Sequence, residues 1–344
     1  MDEAHEWYAR ALAIDPKNAE AHNNLGTWQQ EQGAPDRAFE CYRAALACDS
    51  DYAEAHNNLA VLLQDQGRLD EAATHYRRAL ALDPAFAAAH KNLGGLLQEQ
   101  GDAEAAVACY REAVRLNPDF SEARYKLAAL TGQEVPAVAP ADYVAALFDG
   151  YAEEFDAHLL GTLKYRTPRQ LRAALAGRLP AGPLAVLDLG CGTGLSGAAF
   201  RDLAGRLVGV DLSAKMLARA RARAIYDQLI EGEAVQVLAG LGERFDLIVA
   251  ADVLVYLGEL APLFAAVTRA LAPRGAFAFS IEQHSAAGYS LRPSGRYAHG
   301  AAYIQASAAH HRLSVEYREA VVLREDHGRD VAGDGWERHS CRDS

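Results

Sequence analysis

The segment LDLGCGTG, residues 187–194, decides how the second half of this 344-residue chain is read. It continues an apolar run, and glycines placed there let the backbone turn tightly and approach a nucleotide closely. An acid, Asp188, stands two residues ahead of the first glycine, Gly190. Outward from this loop, short apolar runs alternate with helical segments. The pattern predicts strands over 185–189, 207–210, 234–238, 245–250 and 276–281, helices starting near Ser196 and Ser213, and a helix running through Leu271. Apolar strands separated by helices imply a parallel sheet covered on both faces, an α/β fold.

The acid discriminates between nucleotides. A G-x-G-x-x-G dinucleotide loop opening at Gly190 would need glycine where Leu195 stands. Opening at Gly192 restores the pattern through Gly194 and Gly197, but leaves the Asp188 carboxylate near where two phosphates would sit. Like charges there are unfavourable, which disfavours a nicotinamide-dependent oxidoreductase. S-Adenosylmethionine has no phosphate, and its ammonium and sulfonium reverse the sign of the interaction. On these residues VLDLGCGTG (186–194) resembles the first motif of the class I S-adenosylmethionine-dependent methyltransferases, which have a Rossmann-like fold.

That resemblance implies a site. Asp188, Gly190, Cys191, Gly192 and Gly194 would form the cofactor loop. The family places an acid after the second strand to receive both ribose hydroxyls; VGVDLSAKML (208–217) puts Asp211 there, 21 residues beyond Gly190, with Leu212 beside it. Met216 and Leu217 either border adenine or pack the core. An acid near the adenine amino group is expected after the third strand, where EGEAVQVL (231–238) offers Glu233, with Glu231 competing. ADVLVYL (251–257) places Asp252 at the carboxyl end of the fourth strand, as a ligand-facing acid or a helix cap. LFDGYAEEFD (147–156) resembles the amino-terminal helix that closes over the cofactor in this family; Tyr151 and Phe155, four apart, share a face and either cover the ligand or pack. KYRTP (164–168) brings Tyr165 and Arg166 toward the cofactor carboxylate.

For the acceptor, His299 and His284 are candidate general bases, although a lone loop histidine is more often merely solvated, and Tyr256 and Tyr297 are candidate pocket walls. No NPPY-type segment follows the fourth strand, the family's sign of amide or nucleobase amino methylation. ADVLVY instead resembles the group acting on small molecules or protein side chains.

The first third of the chain repeats itself. AEAHNNLG from Ala19, AEAHNNLA from Ala53 and AAAHKNLG from Ala87 lie 34 residues apart, and SEARYKLA from Ser121 is a fading fourth copy. Tyr8, Tyr42, Tyr76 and Tyr110 keep the same spacing, as do Pro16, Ser50, Pro84 and Pro118. The period, with small residues at helix contacts, resembles the tetratricopeptide repeat, a helix-turn-helix unit that stacks into an all-α solenoid with a concave groove. Three full repeats are predicted, with a lone helix over 2–14 before them and a capping helix over 121–130 after; Gly33, Gly67 and Gly101 mark the helix ends.

Asn24, Asn58 and Asn92 recur once per repeat, and an amide can both donate to and accept from an extended peptide. The row is similar to the asparagine ladder of O-linked N-acetylglucosamine transferases, which implies a peptide or protein partner in the groove; the competing reading is that these amides satisfy helix ends. His22, His56 and His90 recur too, but a repeat length apart, which favours packing over metal binding.

Composition bounds the rest. Through residue 134 there are 12 Lys and Arg against 22 Asp and Glu, and beyond it 22 against 24, so the net charge of −12 is concentrated in the repeats. Such a surface repels phosphate backbones, so nucleic acid is not expected as a partner. No apolar run approaches the roughly 20 residues of a membrane span, and no signal-peptide pattern follows Met1; a cytoplasmic location is expected. The 5 cysteines show no C-x-x-C spacing, so neither a disulfide framework nor a structural metal is expected.

The domains read as repeats over 1–132, a linker over 133–142 that holds Pro136 and Pro140, and a methyltransferase domain over 143–332. Residues 333–344 are atypical: DGWERHSCRDS lacks the alternation of the final antiparallel strand that the family has, so that strand is expected to be missing or disordered. The whole chain resembles bacterial tetratricopeptide-repeat methyltransferases, including the segment GRYAH (295–299). The expected function is methyl transfer from S-adenosylmethionine to a small-molecule or protein acceptor, with the repeats binding a partner. The alternative is a non-catalytic, cofactor-binding repeat scaffold or adaptor.

Overall fold

The computed structural model describes residues 3–285, 287–326 and 329–340. The chain divides into two compact units, Met1–Thr131 and Gly132–Ser344.

The first unit is helical throughout: α1 (Glu3–Ile14), α2 (Ala19–Glu31), α3 (Pro35–Cys48), α4 (Ala53–Asp65), α5 (Leu69–Leu82), α6 (Ala87–Glu99), α7 (Ala103–Leu116) and α8 (Ser121–Thr131). Each repeat is an antiparallel helix pair, and Gly33, Gly67 and Gly101 take φ of 70°, 74° and 85° at the turn, a region that a Cβ disfavours. Small residues let the pairs close on one tyrosine per repeat. Tyr42, Tyr76 and Tyr110 are fully buried, and their hydroxyls donate to Gln30, Gln64 and Gln98 at 3.0, 3.0 and 3.1 Å. Leu59, Leu62, Leu63, Leu93 and Leu96 fill the space between successive pairs, each contributing about 1.5–3 kcal/mol by leaving water.

The second unit opens with helices α9 (Ala141–Tyr151), α10 (Phe155–Ala157), a π turn (His158–Thr162) and α11 (Thr167–Ala174). Then follow β1 (Leu184–Leu189), α12 (Leu195–Phe200), β2 (Ala204–Asp211), α13 (Ala214–Ala222), β3 (Gln228–Glu231), α14 (Ala234–Gly240), β4 (Phe245–Ala250), α15 (Ala261–Ala270), β5 (Leu271–His284), β6 (Tyr289–Leu291), β7 (Tyr297–Gly300), α16 (Ala301–His310), β8 (Leu313–Asp326) and β9 (Arg329–Ser340). Strands run parallel in the order β3-β2-β1-β4-β5. Beyond β5 the sheet forks: residues 276–282 of β5 pair antiparallel with β9, which pairs with β8, while residues 282–284 pair with β7 of the β6–β7 hairpin. Alternate residues of β1 serve opposite faces, Leu187 and Leu189 joining Phe264, Phe277 and Phe279, and Val186 joining Phe200, Leu207 and Leu247. Both faces are covered, hence the apolar runs of β1 and β4, broken only by Asp188 and Asp246.

Three expectations are corrected here. Residues 234–238 form the helix α14, not a strand: both carboxylate oxygens of Glu233 cap it, accepting from Val235 N and Gln236 N at 3.0 and 2.9 Å, and the third strand lies earlier, over 228–231. Residues 333–340 are not a disordered tail but lie in β9, inside the sheet; the pairing there is carried by backbone groups, which need no alternation, and residues 341–344 fall outside the described residues. Residues 136–139, expected in a linker, run along the second unit, with Ala139 N donating to Tyr256 O at 2.9 Å, Gly258 N to Ala137 O at 2.8 Å, and Tyr297 Oη to Pro136 O at 2.7 Å. No helix among the described residues is long and apolar enough to cross a membrane.

Candidate cofactor and acceptor site

A cavity of about 320 Å³ opens at the carboxyl ends of β1, β2 and β4. Its floor is the 190–193 loop, Asp211, Leu212, Glu233 and Asp252; its roof is Val144, Phe148, Tyr151 and Phe155 from the segment over residues 141–163, which acts as a strap. Tyr165, Tyr256 and Arg296 close one end. Gly190 allows the approach: with φ +63°, a Cβ there would lie 2.4 Å from Val253 Cγ2. Cys191 faces the cavity too, and burial pushes its thiol well up, so it stays protonated.

Asp211 ends β2 with its carboxylate aimed by two backbone amides, Oδ2 accepting from Gly192 N at 2.8 Å and Oδ1 from Ser213 N at 2.9 Å. Burial raises its pKa, and those N–H groups oppose the shift. The acid is therefore fixed to the glycine loop while its remaining lone pairs face the cavity. Glu233, not Glu231, reaches the lining.

The strap is pinned by its own acids. Asp149 accepts from Ser213 Oγ at 2.5 Å, Glu153 pairs with Arg219 at 3.0 Å, and Asp156 pairs with Arg223 and accepts from Thr193 Oγ1 at 2.5 Å. Arg223 Nε also donates to Thr193 O of the loop, at 2.6 Å. Under the strap, the Tyr151 hydroxyl is buried without a hydrogen-bond partner, its ring edge-on to Phe155 at 5.3 Å. Burial keeps the Tyr165 phenol protonated.

At the closed end lies a charge network that sequence reasoning missed. Arg296 Nη2 donates to Asp252 Oδ1 at 2.7 Å, Nε to Glu282 Oε1 at 2.7 Å, and Nη1 to Tyr256 Oη at 3.2 Å. Burial alone would lower the arginine's pKa; Asp252, Tyr256 and Glu282 push it up, so it stays cationic. Asp252 itself has φ +63°, a left-handed conformation uncommon outside glycine, and its N–H donates to Ser280 Oγ at 2.9 Å. Its carboxylate therefore holds Arg296 rather than capping a helix. Only the GRYAH segment hinted at Arg296; its partners stand 44 and 14 residues away in sequence, beyond any local pattern.

Several predicted residues lie elsewhere. Asp188 is buried behind the loop and is not in the lining: its Oδ2 accepts from Tyr226 Oη at 2.7 Å. Burial raises its pKa to about 7 against the pull of Tyr226, Ser196 and Gly197. Its contacts run to Tyr226 and the start of α12, so the acid that lines the cavity beside the loop is Asp211. Gly194 likewise lies behind, beginning α12 with φ +95°. Arg166 is exposed and outside the cavity. His299 is buried in β7, its Nε2 bonded to Leu257 O at 2.8 Å and Gly258 O at 3.2 Å, and burial lowers its pKa to about 4. It is a structural residue, as is Tyr297, whose hydroxyl holds Pro136. His284 ends β5 outside the lining, near Ser290 Oγ at 3.4 Å. Among the described residues no group of three or more His, Cys, Asp or Glu could hold a metal.

In the first unit the asparagines bond one another across repeats. Asn92 donates to Asn57 at 2.9 Å, Asn57 to Asn58 at 3.2 Å, Asn58 to Asn23 at 3.0 Å and Asn23 to Asn24 at 3.4 Å. Asn23 and Asn57 are buried, while Asn24, Asn58 and Asn92 are half-buried, each with amide capacity beyond these bonds. Neither asparagine set caps a helix end.

The fold and this cavity define a Rossmann-like methyltransferase domain preceded by tetratricopeptide repeats. Comparison with known proteins agrees: residues 186–275 match the family described as a methyltransferase domain, and residues 1–33, 30–67, 62–101 and 96–133 each match the TPR repeat. A curated relative, the malonyl-[acyl-carrier protein] O-methyltransferase of Enterobacter lignolyticus (strain SCF1), is 31% identical over 138 residues, covering 40% of this chain and 52% of that protein. The chain thus spans about half the length of that relative. Among solved structures, magnesium protoporphyrin IX methyltransferase from Synechocystis PCC 6803 with bound S-adenosylmethionine is similar at 16% identity and TM-score 0.46, covering 58% of this chain and 97% of that one. The first TPR of Spaghetti (RPAP3) bound to an HSP90 peptide is similar at 22% identity and TM-score 0.33, covering 34% and 94%.

Proposed function

We propose that this protein transfers a methyl group from S-adenosylmethionine to a small-molecule or protein acceptor, and that its repeats bind a protein or peptide partner. The observation that carries the reading is Asp211, an acid tethered to the glycine loop and lining a cavity in which, among the described residues, no unengaged cation awaits a pyrophosphate. The residues fit the cofactor. Asp211 has acceptor capacity for two vicinal ribose hydroxyls, Glu233 in the same lining is an acceptor for the adenine amino group, and the buried Tyr151 hydroxyl, lacking any partner, is a donor for the methionyl carboxylate.

S-Adenosylmethionine supplies an electrophilic methyl on a sulfonium. The chain's part is to align and to exclude water: Phe148, Tyr151 and Phe155 roof the ligand, and Asp252 and Tyr256, held by Arg296, flank the acceptor end. Alignment of this kind is worth up to about 7–11 kcal/mol of a bimolecular barrier. With no histidine among the described residues of the lining, a hydroxyl acceptor would pass its proton to the Asp252 carboxylate or to water. In the first unit, the donor and acceptor capacity left on Asn24, Asn58 and Asn92 is what an extended peptide backbone would meet.

Calorimetric titration with S-adenosylmethionine tests the site: Asp211→Ala loses two charge-assisted hydrogen bonds, and about 100-fold or more in affinity is expected to go with them. Equal affinity overturns the assignment. Methyl-labelled cofactor incubated with cell extract tests transfer; label in any acceptor supports it, and cofactor binding without label favours the scaffold reading.

A further inference from the structure

We infer that the acceptor enters this cavity as an uncharged apolar molecule, an aromatic or aliphatic body bearing a neutral hydroxyl or amine, and not as a carboxylate or phosphate. The inference rests on the methyl-transfer reading of the same cavity. Its first support is the charge at the acceptor end. Among the described residues of the lining, Arg296 is the only cation, and three of its faces are engaged, by Asp252, Glu282 and Tyr256. Arg292, 3.4 Å from Glu282, lies outside the lining and balances that carboxylate from behind. An anion arriving beside Arg296 would meet the Asp252 carboxylate at the same time, with no uncompensated positive charge of the protein to receive it, and would lose its hydration as well. The cofactor's sulfonium stands before every acceptor alike, so discrimination falls to these side chains.

The second support is the wall. Val138, Val144, Leu147, Phe148 and Leu257 give the cavity an apolar wall. Val138 and Leu147 remain 41% and 42% exposed at its mouth, large apolar side chains left in water where an apolar body would cover them. Phe148 and Tyr256 meet edge-on at 5.6 Å, a corner suited to a flat ring.

The test is calorimetry on the full chain saturated with S-adenosylhomocysteine, using 2-naphthol and 2-naphthoate, which share a ring and differ in charge at about pH 7. Saturable naphthol binding is expected, with naphthoate weaker by about tenfold or more, a difference of about 1.4 kcal/mol. Leu147→Asp, at a position 42% exposed, should weaken naphthol by a similar factor when the variant, like the parent, is saturated with S-adenosylhomocysteine. Naphthoate binding as tight as naphthol, binding of neither probe, or naphthol binding indifferent to Leu147→Asp overturns the inference. Failure of S-adenosylhomocysteine to bind at all would instead strike the reading on which it rests.

Discussion

Asp188 and His299 are both buried ionisable side chains of the second unit, and they respond to pH with opposite signs. Burial raises Asp188 from its ordinary 3.8 to about 7, so over that window the folded state holds more protons than the unfolded chain and stability falls as pH rises. Burial lowers His299 from 6.5 to about 4, so the unfolded chain holds more protons and stability rises with pH across that window. Each slope is at most about 1.4 kcal/mol per pH unit, and in the parent protein the two largely offset. Asp188→Asn keeps an acceptor for Tyr226 and should leave a stability that climbs between about pH 4 and 6.5; His299→Gln should leave one that declines between about pH 4 and 7. Urea unfolding at a series of pH values, without ligand, reads both slopes, and parallel profiles for the two variants would contradict the assignment.

At the scale of elements, the strap and α13 meet through acids on one and a hydroxyl and two arginines on the other, and Arg223 extends that contact to the glycine loop. Cofactor release then requires these contacts to part. Because Arg223 and Asp156 are only about a third exposed, their pair is worth about 1–2 kcal/mol after screening. Arg223→Gln should therefore speed release of labelled S-adenosylmethionine about tenfold at low salt, with the gap from the parent narrowing as potassium chloride rises; a release rate untouched by the substitution would exclude this role. The elements themselves were legible where a period was long enough to read. A 34-residue repeat gives the helices of the first unit several independent witnesses, and β1 and β4 are apolar except at Asp188 and Asp246 because both faces are covered. AVQVL misled because its alternation suits a strand, while the cap that makes it a helix depends on a single side chain, Glu233. Asp211 was found because the loop and the second strand fix its place. Arg296 was not, since a buried ion pair between distant segments leaves no local trace, and His299 was misplaced because the chain alone does not say which histidines lose their water.

For the whole molecule, the division at Thr131 predicts that the second unit stands alone. Residues 132–344 expressed by themselves should fold and bind S-adenosylmethionine within about threefold of the full chain, because every residue lining the cavity belongs to that unit. A collapse of affinity on removing the repeats, measured by calorimetry, would show that the site needs them. Shortening the other end has a different outcome. A chain stopped before Arg329 leaves residues 276–282 of β5 unpaired along one side and β8 with no sheet neighbour, and aggregation rather than a smaller folded domain is expected in size-exclusion chromatography.

β9 also lies between two strands that both precede it in the chain. On a ribosome, the gap it fills stays open while β5 and β8 already exist, so this half of the sheet is completed by insertion rather than by growth at its rim. Until residues 329–340 leave the exit tunnel, the nascent domain carries a pairable slot beside β5, and the interval before closure is when a chaperone would have most to do.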